Sequence, residues 1–151
     1  MRTKQVKDWM TAKVITVSSH STLPDAYWLM LENEIRRLPV VDDGTLVGMV
    51  TIDDLRRAEP PAGAGLDLVK INDRLSKMTI RQMMTKEVKT ISSAASLMDA
   101  ARLMLKHRIS ALPVLDKNKL VGIITESDIF RAFVELVEKM RKNADKNILC
   151  C

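Results

Sequence analysis

Two aspartates, Asp54 and Asp128, close the same short pattern, Thr-x-x-Asp, which Thr51 and Thr125 open. A carboxylate accepts several hydrogen bonds at once and can hold two neighbouring hydroxyls, each bond being stronger than a neutral one. The same acids also serve helices: an aspartate there can be an N-cap or a first-turn acid that favours the helix dipole. The two roles can coexist. Unpaired N–H groups at such a helix start favour an anion. Hydroxyls at Thr51, Thr125 and Ser127 add small polar groups there. Asp53 stands where the second pattern has Ser127. It would repel an anion if it pointed inward, so it is expected to face solvent, and the two sites are expected to differ.

A second pair of differences lies upstream. Arg36 and Arg37 precede Leu38-Pro39, whereas Ser110 and Ala111 precede Leu112-Pro113. The guanidinium has a planar fork of donors and a permanent charge suited to phosphate. Ser-Ala leaves open space instead.

Little else suggests chemistry. His20 and His107 have no acid or nucleophile at meaningful spacing, and neither Gly-x4-Gly-Lys-Ser/Thr nor Gly-x-Gly-x-x-Gly occurs. No paired-carboxylate or Ser/His/Asp constellation is present, so no catalytic residue is expected and the chain reads as a non-enzyme. The two cysteines, Cys150 and Cys151, are adjacent at the end and cannot by themselves complete a four-ligand zinc site. No metal site and no required cofactor are expected, and a cytoplasmic setting fits the cysteine usage. No apolar run approaches the ~20 residues of a membrane span. No signal-peptide segment follows Met1. The net charge is +5, from 24 basic and 19 acidic residues. The cations are scattered, with a mild concentration at 139–146. Aromatics make up only 3% and do not interleave with them, which argues against nucleic acid.

The elements that must position these residues repeat. Shifting the chain by 74 residues aligns 24 identities over positions 6–58 without a gap, among them Pro39 with Pro113, Gly48 with Gly122 and Asp54 with Asp128. Each half predicts the order β-α-β-β-α. Val14–Val17 and Val88–Ile91 read as short β-branched strands. Thr22 and Ser96 read as N-caps with Asp25 and Asp99 three residues on. Leu23, Ala26, Tyr27 and Met30 follow helical spacing, as do Leu97, Ala100, Ala101 and Met104. Leu38–Val41 with Leu46–Val50, and Leu112–Leu115 with Leu120–Ile124, form hairpins around Asp42-Asp-Gly44 and Asp116-Lys-Asn118. Second helices start near Asp53 and Glu126. The fold class is α/β (α+β), two β-α-β-β-α repeats expected to pack around a pseudo-two-fold axis. The boundaries are 1–59 for the first repeat and 60–79 for a breaker-rich linker with a short helix. The second repeat spans 80–133, and a helix extension and tail 134–151. On that extension Ile129, Phe133, Leu136 and Met140 form one stripe, which Phe130, Val134 and Val137 widen. A face so broad predicts self-association.

The residues now carry a resemblance. Met-Thr, Ile-x-x-Leu-Pro-Val-x-Asp and Val-Gly-x-x-Thr-x-x-Asp, each present twice in order, make 6–133 resemble a tandem pair of CBS (cystathionine β-synthase) domains, a Bateman module. It is most similar to stand-alone prokaryotic pairs and to the CBS portion of AcuB-type acetoin-utilisation proteins, with no room left for a further C-terminal domain. The resemblance implies a regulatory energy or metabolite sensor. Its ligands would be AMP, ADP or ATP, or alternatively S-adenosylmethionine, held in clefts between the repeats. It also implies a homodimer and an unidentified effector protein. Asp54 and Asp128 would then hold ribose. Arg36 or Arg37 would reach phosphates, as a basic residue does in the γ subunit of AMP-activated protein kinase. Ser110 and Ala111 would lie against the base. Ile35, Pro39, Ile109, Pro113 and Val88 would wall it. Thr16 and Thr90 would contact base or phosphate, and Thr51, Thr125 and Ser127 the phosphate or ribose oxygens. The competing readings are a scaffold with vestigial clefts and a nucleic-acid-associated regulator.

Overall fold

The computed structural model describes residues 5–58 and 68–148, with side chains at 5–58 and 73–144. The linker breakers 59–65, Leu66 and the cysteine pair lie outside the described residues. The fold is α+β and divides into two compact units. One comprises Val14–Lys89 and Asn118–Leu120, the other Met1–Lys13, Thr90–Lys117 and Val121–Cys151.

The first of these holds α1 (Leu23–Glu32), β1 (Arg37–Asp42), β2 (Thr45–Thr51), α2 (Ile52–Arg57) and α3 (Leu68–Lys77). Thr22 caps α1 by a reciprocal box with Asp25, and Pro24 sits harmlessly in its first turn. β1 and β2 pair antiparallel from Arg37↔Thr51 to Asp42↔Thr45, with a bulge between Val40 and Val41. Asp43 (φ 48°) and Gly44 (φ 77°) both take the left-handed conformation that a tight two-residue hairpin turn requires. Met30, Leu38, Val40, Val50, Leu55 and Ile80 fill the core.

The second unit holds β3 (Ile91–Ser92), α4 (Leu97–His107), β4 (Ala111–Asp116), β5 (Lys119–Thr125) from Val121 onward, and α5 (Glu126–Ile148). Its sheet order is β3-β4-β5, with β3 parallel to β4. Lys117 (φ 46°) and Asn118 (φ 65°) make the equivalent hairpin turn without glycine. Val6, Ala100, Met104, Leu112, Val114 and Ile124 form its core.

One expectation needs correction. The strands predicted over 14–17 and 88–91 shrink to a single bridge, Val17 to Val40, and to the two-residue β3. β-branched composition favours extended backbone, but a strand also needs a ladder partner. On α5 Asp128 and Ala132 are buried and Ile129 packs on the core, while Phe130, Phe133, Val134 and Met140 of the broad apolar face are exposed. The packing units divide the chain differently from the sequence repeats. Val6 N–H donates to the Ala95 carbonyl at 2.9 Å, and Thr11 bridges to Ile123. Ile80 N–H donates to the Ser21 carbonyl at 2.9 Å, and Thr85 bridges to Met49. Each Met-Thr lead thus lies along the hairpin of the other repeat.

That docking explains the paired glycines. A Cβ on Gly48 would stand 2.6 Å from Met84 Sδ and 2.9 Å from the Thr85 carbonyl. One on Gly122 would stand 2.9 Å from Met10 Cγ and 3.0 Å from the Thr11 carbonyl. Thioethers can shift; a paired backbone carbonyl cannot. Gly48→Ala and Gly122→Ala should each lower stability by about 1–3 kcal/mol, the usual range for overpacking, read as a lower urea midpoint at constant m. Met84→Ala added to Gly48→Ala should restore only part of the loss.

Acid should weaken two local ties. Ser18 Oγ and Ser19 N–H each donate to Asp42 Oδ1 at 3.0 Å, fastening the loop before α1 to the end of β1. The buried Ser19 hydroxyl beside Asp42, which completes no hydrogen bond of full geometry, and the Ser19 N–H hold that carboxyl below its ordinary value. The Ser96 hydroxyl and N–H do the same for Asp99 at the start of α4. A depressed carboxyl stabilises the fold above the unfolded pKa, about 3.9, and this contribution is lost as pH falls through the folded value. Stability should therefore drop below about pH 4, and Asp42→Asn and Asp99→Asn should each flatten that drop in pH-resolved urea melts.

Candidate ligand-binding site

The site is built where a hairpin strand runs directly into a helix. Thr51 is both the last residue of β2 and the N-cap of α2. Its extended backbone (φ −114°, ψ 162°) leaves the first N–H groups of α2 pointing out of the strand end. Ile52 N–H is taken by the Arg36 carbonyl at 2.9 Å, and Arg37 lies opposite Thr51 in the ladder. Thr51 Oγ1 accepts from Asp54 N–H at 3.2 Å and donates to Asp54 Oδ2 at 2.9 Å, while Thr51 N–H donates to the same Oδ2 at 2.8 Å. One carboxylate oxygen is thus fixed by the chain itself. Among the described residues the other, Oδ1, receives no hydrogen bond, and Arg57 Nη1 stands 3.9 Å from it.

The second unit repeats this geometry. Glu126 N–H is taken by the Ser110 carbonyl at 3.0 Å. Thr125 N–H and Oγ1 donate to Asp128 Oδ2 at 2.8 and 3.0 Å. Here Oδ1 is engaged as well, by Arg131 Nη2. The Asp128 side chain is only 3% exposed, against 17% for Asp54.

The other expected residues have varied surroundings. Asp53 faces solvent, as its charge required, 3.8 Å from Arg56. Arg36 and Ser127 are exposed, and Arg37, Ser110 and Ala111 are half-buried. Ile35 and Ile109 pack against the cores of their own units. Pro39 and Pro113 are buried inside β1 and β4. Thr16 is exposed, Val88 and Thr90 half-buried, and among the described residues no hydrogen bond joins them to either aspartate. The Thr51 and Thr125 hydroxyls spend their protons on the aspartates, so they position carboxylates rather than donate to an anion.

Two features escaped the sequence reading. The pattern extends to Thr-x-x-Asp-x-x-Arg, since Arg57 aligns with Arg131; the identity was visible in the repeat, its contact was not. A groove of about 350 Å³ also opens beside α1, lined by Leu23, Tyr27, Trp28, Leu55 and Leu75. Its only signal was two neighbouring aromatics on a chain that has few. Neither aspartate borders it.

Known proteins share the sequence pattern and the fold. The CBS domain pattern matches residues 6–60 and 80–135. The chain is 35% identical over 124 residues to the CBS domain-containing protein YhcV of Bacillus subtilis, covering 82% of this chain and 81% of that one. A putative acetoin utilization protein (AcuB) from Vibrio cholerae has a similar structure, with TM-score 0.74 and 32% identity over 92% of this chain and 96% of that one. CBSX2 of Arabidopsis thaliana in complex with AMP gives TM-score 0.73 at 32% identity, over 87% and 97% of the two chains. The CBS domain pair of protein MJ0100, in complex with 5′-methylthioadenosine and S-adenosyl-L-methionine, gives 0.72 at 32%, over the same shares. With two matched copies over most of its length, and a near-full-length relative at this identity, the chain belongs to the CBS domain family.

Proposed function

We propose that this protein is a non-catalytic regulatory module that binds adenine nucleotides through Asp54 and Asp128, each accepting the ribose hydroxyls. One observation carries the reading: in both units the strand-to-helix turn fixes one carboxylate oxygen and aims the acid at a helix start, where anions are also favoured. Arg36 and Arg37 lie at the same turn as Asp54 and suit the phosphates. Ser110 and Ala111 occupy the matching position by Asp128 and suit the base. The complexes of CBSX2 with AMP and of the MJ0100 CBS pair with 5′-methylthioadenosine and S-adenosyl-L-methionine support an adenosine-type ligand. Phosphate-bearing ligands are favoured here by the arginine pair. Binding would report to an effector protein.

A thermal-shift series across AMP, ADP, ATP and S-adenosylmethionine tests this. Ligand at 100 times its dissociation constant raises stability by about 2.7 kcal/mol, a shift of several degrees. Calorimetry should show AMP affinity falling at least about tenfold at the altered site in Asp54→Asn and Asp128→Asn, the loss of one charge-assisted interaction, with folding intact. Unchanged affinity in both variants would remove the diol role.

The exposed face of α5 supports a second element, a homodimer. Phe130, Phe133 and Met140 are each more than 60% exposed on one helix, more apolar surface than an isolated chain commonly leaves in water. Light scattering at micromolar concentration should return twice 17.0 kDa, and Phe133→Glu with Met140→Glu should return the single-chain mass. A parent protein that scatters as one chain would discard the dimer. Among the described residues no helix is long and apolar enough to cross a membrane.

A further inference from the structure

The two copies of Thr-x-x-Asp-x-x-Arg have the same sequence chemistry and different engagement. In one, Arg57 is the terminal residue of the six-residue helix α2, and its guanidinium stands 3.9 Å from Asp54 Oδ1, outside hydrogen-bond reach. In the other, Arg131 lies within the 23-residue α5, with helix continuing well beyond it, and donates to Asp128 Oδ1. A helix end frays, whereas a residue five positions into a long helix has a fixed backbone from which to aim its side chain. Thr125 already holds Asp128 Oδ2 with two hydrogen bonds, so Arg131 occupies the acceptor that an incoming diol needs.

We propose that Arg131 is a charge-selective latch on the Asp128 site, admitting nucleosides with an anionic 5′ group in preference to uncharged ones. The inference rests on reading Asp128 as the diol acceptor. Arg131 is 68% exposed and free to swing out, but leaving Asp128 costs the guanidinium a charge-assisted bond. A phosphate at the same helix start gives it a new partner in the bidentate geometry it favours. An uncharged nucleoside gives it none and must pull it from the carboxylate without return. The Asp54 site has no such latch and should discriminate less between the two classes by this route.

Calorimetry with adenosine and AMP on the full chain tests this, with Asp54→Asn present throughout so that only the second site reports. The Asp54→Asn protein should bind AMP more tightly than adenosine. Adding Arg131→Gln should raise adenosine affinity about tenfold, the equivalent of one charge-assisted hydrogen bond, and shrink the AMP preference. Salt gives an independent reading on the protein with Arg131 intact. Salt competes for the exposed Arg131 guanidinium, so adenosine affinity should rise with ionic strength, and this slope should vanish in Arg131→Gln. Circular dichroism melts confirm that each variant is folded. Adenosine affinity unchanged or lowered by Arg131→Gln, with no salt slope in its presence, overturns the latch. If Asp128→Asn in the same background abolishes AMP binding while Arg131→Gln leaves adenosine binding where it was, the latch alone is wrong. If Asp128→Asn leaves AMP binding intact, or the Asp54→Asn protein binds neither ligand, the diol reading of Asp128 and the latch fail together.

Discussion

The turn from hairpin strand into helix at Thr51 and Thr125 is the constraint on which the rest depends. A helix start leaves backbone donors without partners, and each must be met by side chain, chain or ligand. Thr and Asp meet them reciprocally, with bonds of 2.8 to 3.2 Å in the first unit, and the carbonyl of Arg36 or Ser110 meets the first N–H of the helix. The local solution to a folding problem leaves an acid whose second oxygen is not needed for capping. Under the proposed function one residue in each unit serves both the fold and the ligand, so a change at Asp54 or Asp128 would touch both.

The hairpins hold these turns in place. Each is closed at its far end by two residues in the left-handed conformation and flanked by the Met-Thr lead of the other repeat. Gly48 and Gly122 let that lead approach its strand closely. The exchange means that neither sequence repeat, taken as a continuous stretch, contains all the parts of its own packing unit. It gives a chain of two small repeats larger and mutually completed cores, which suits the marginal stability expected of ~55 residues alone.

Much of this was legible in the residues because it is local. The capping boxes at Thr22 and Ser96 and the hairpin turns all depend on neighbours a few positions apart, and the 74-residue repeat doubled each signal. What was not legible depends on distant partners. The strands at 14–17 and 88–91 carried the right composition, but only Val17, Ile91 and Ser92 found a ladder. The Met-Thr leads aligned with their own repeats, so nothing in the alignment betrayed that they pack on the other. On α5 the helical period was correct, while the buried face was set by Asp128 and Ala132, an acid and a small residue that an apolar stripe passes over. At the site, the carboxylates and the solvent-facing Asp53 were readable. The commitment of the Thr hydroxyls and the unequal reach of Arg57 and Arg131 were not, because identical spacing on a short and a long helix gives different geometry.

The central claim is that two chain-anchored carboxylates hold an adenosine-type ligand through the oxygens that Thr51 and Thr125 do not engage. A crystal structure of the protein grown with saturating AMP tests it most directly. The account predicts ribose hydroxyls within hydrogen-bond distance of Asp54 Oδ1, and at the second site of Asp128 Oδ1 with Arg131 turned to the phosphate. AMP bound elsewhere, such as in the groove beside Trp28, with both carboxylates left as they are, would contradict it.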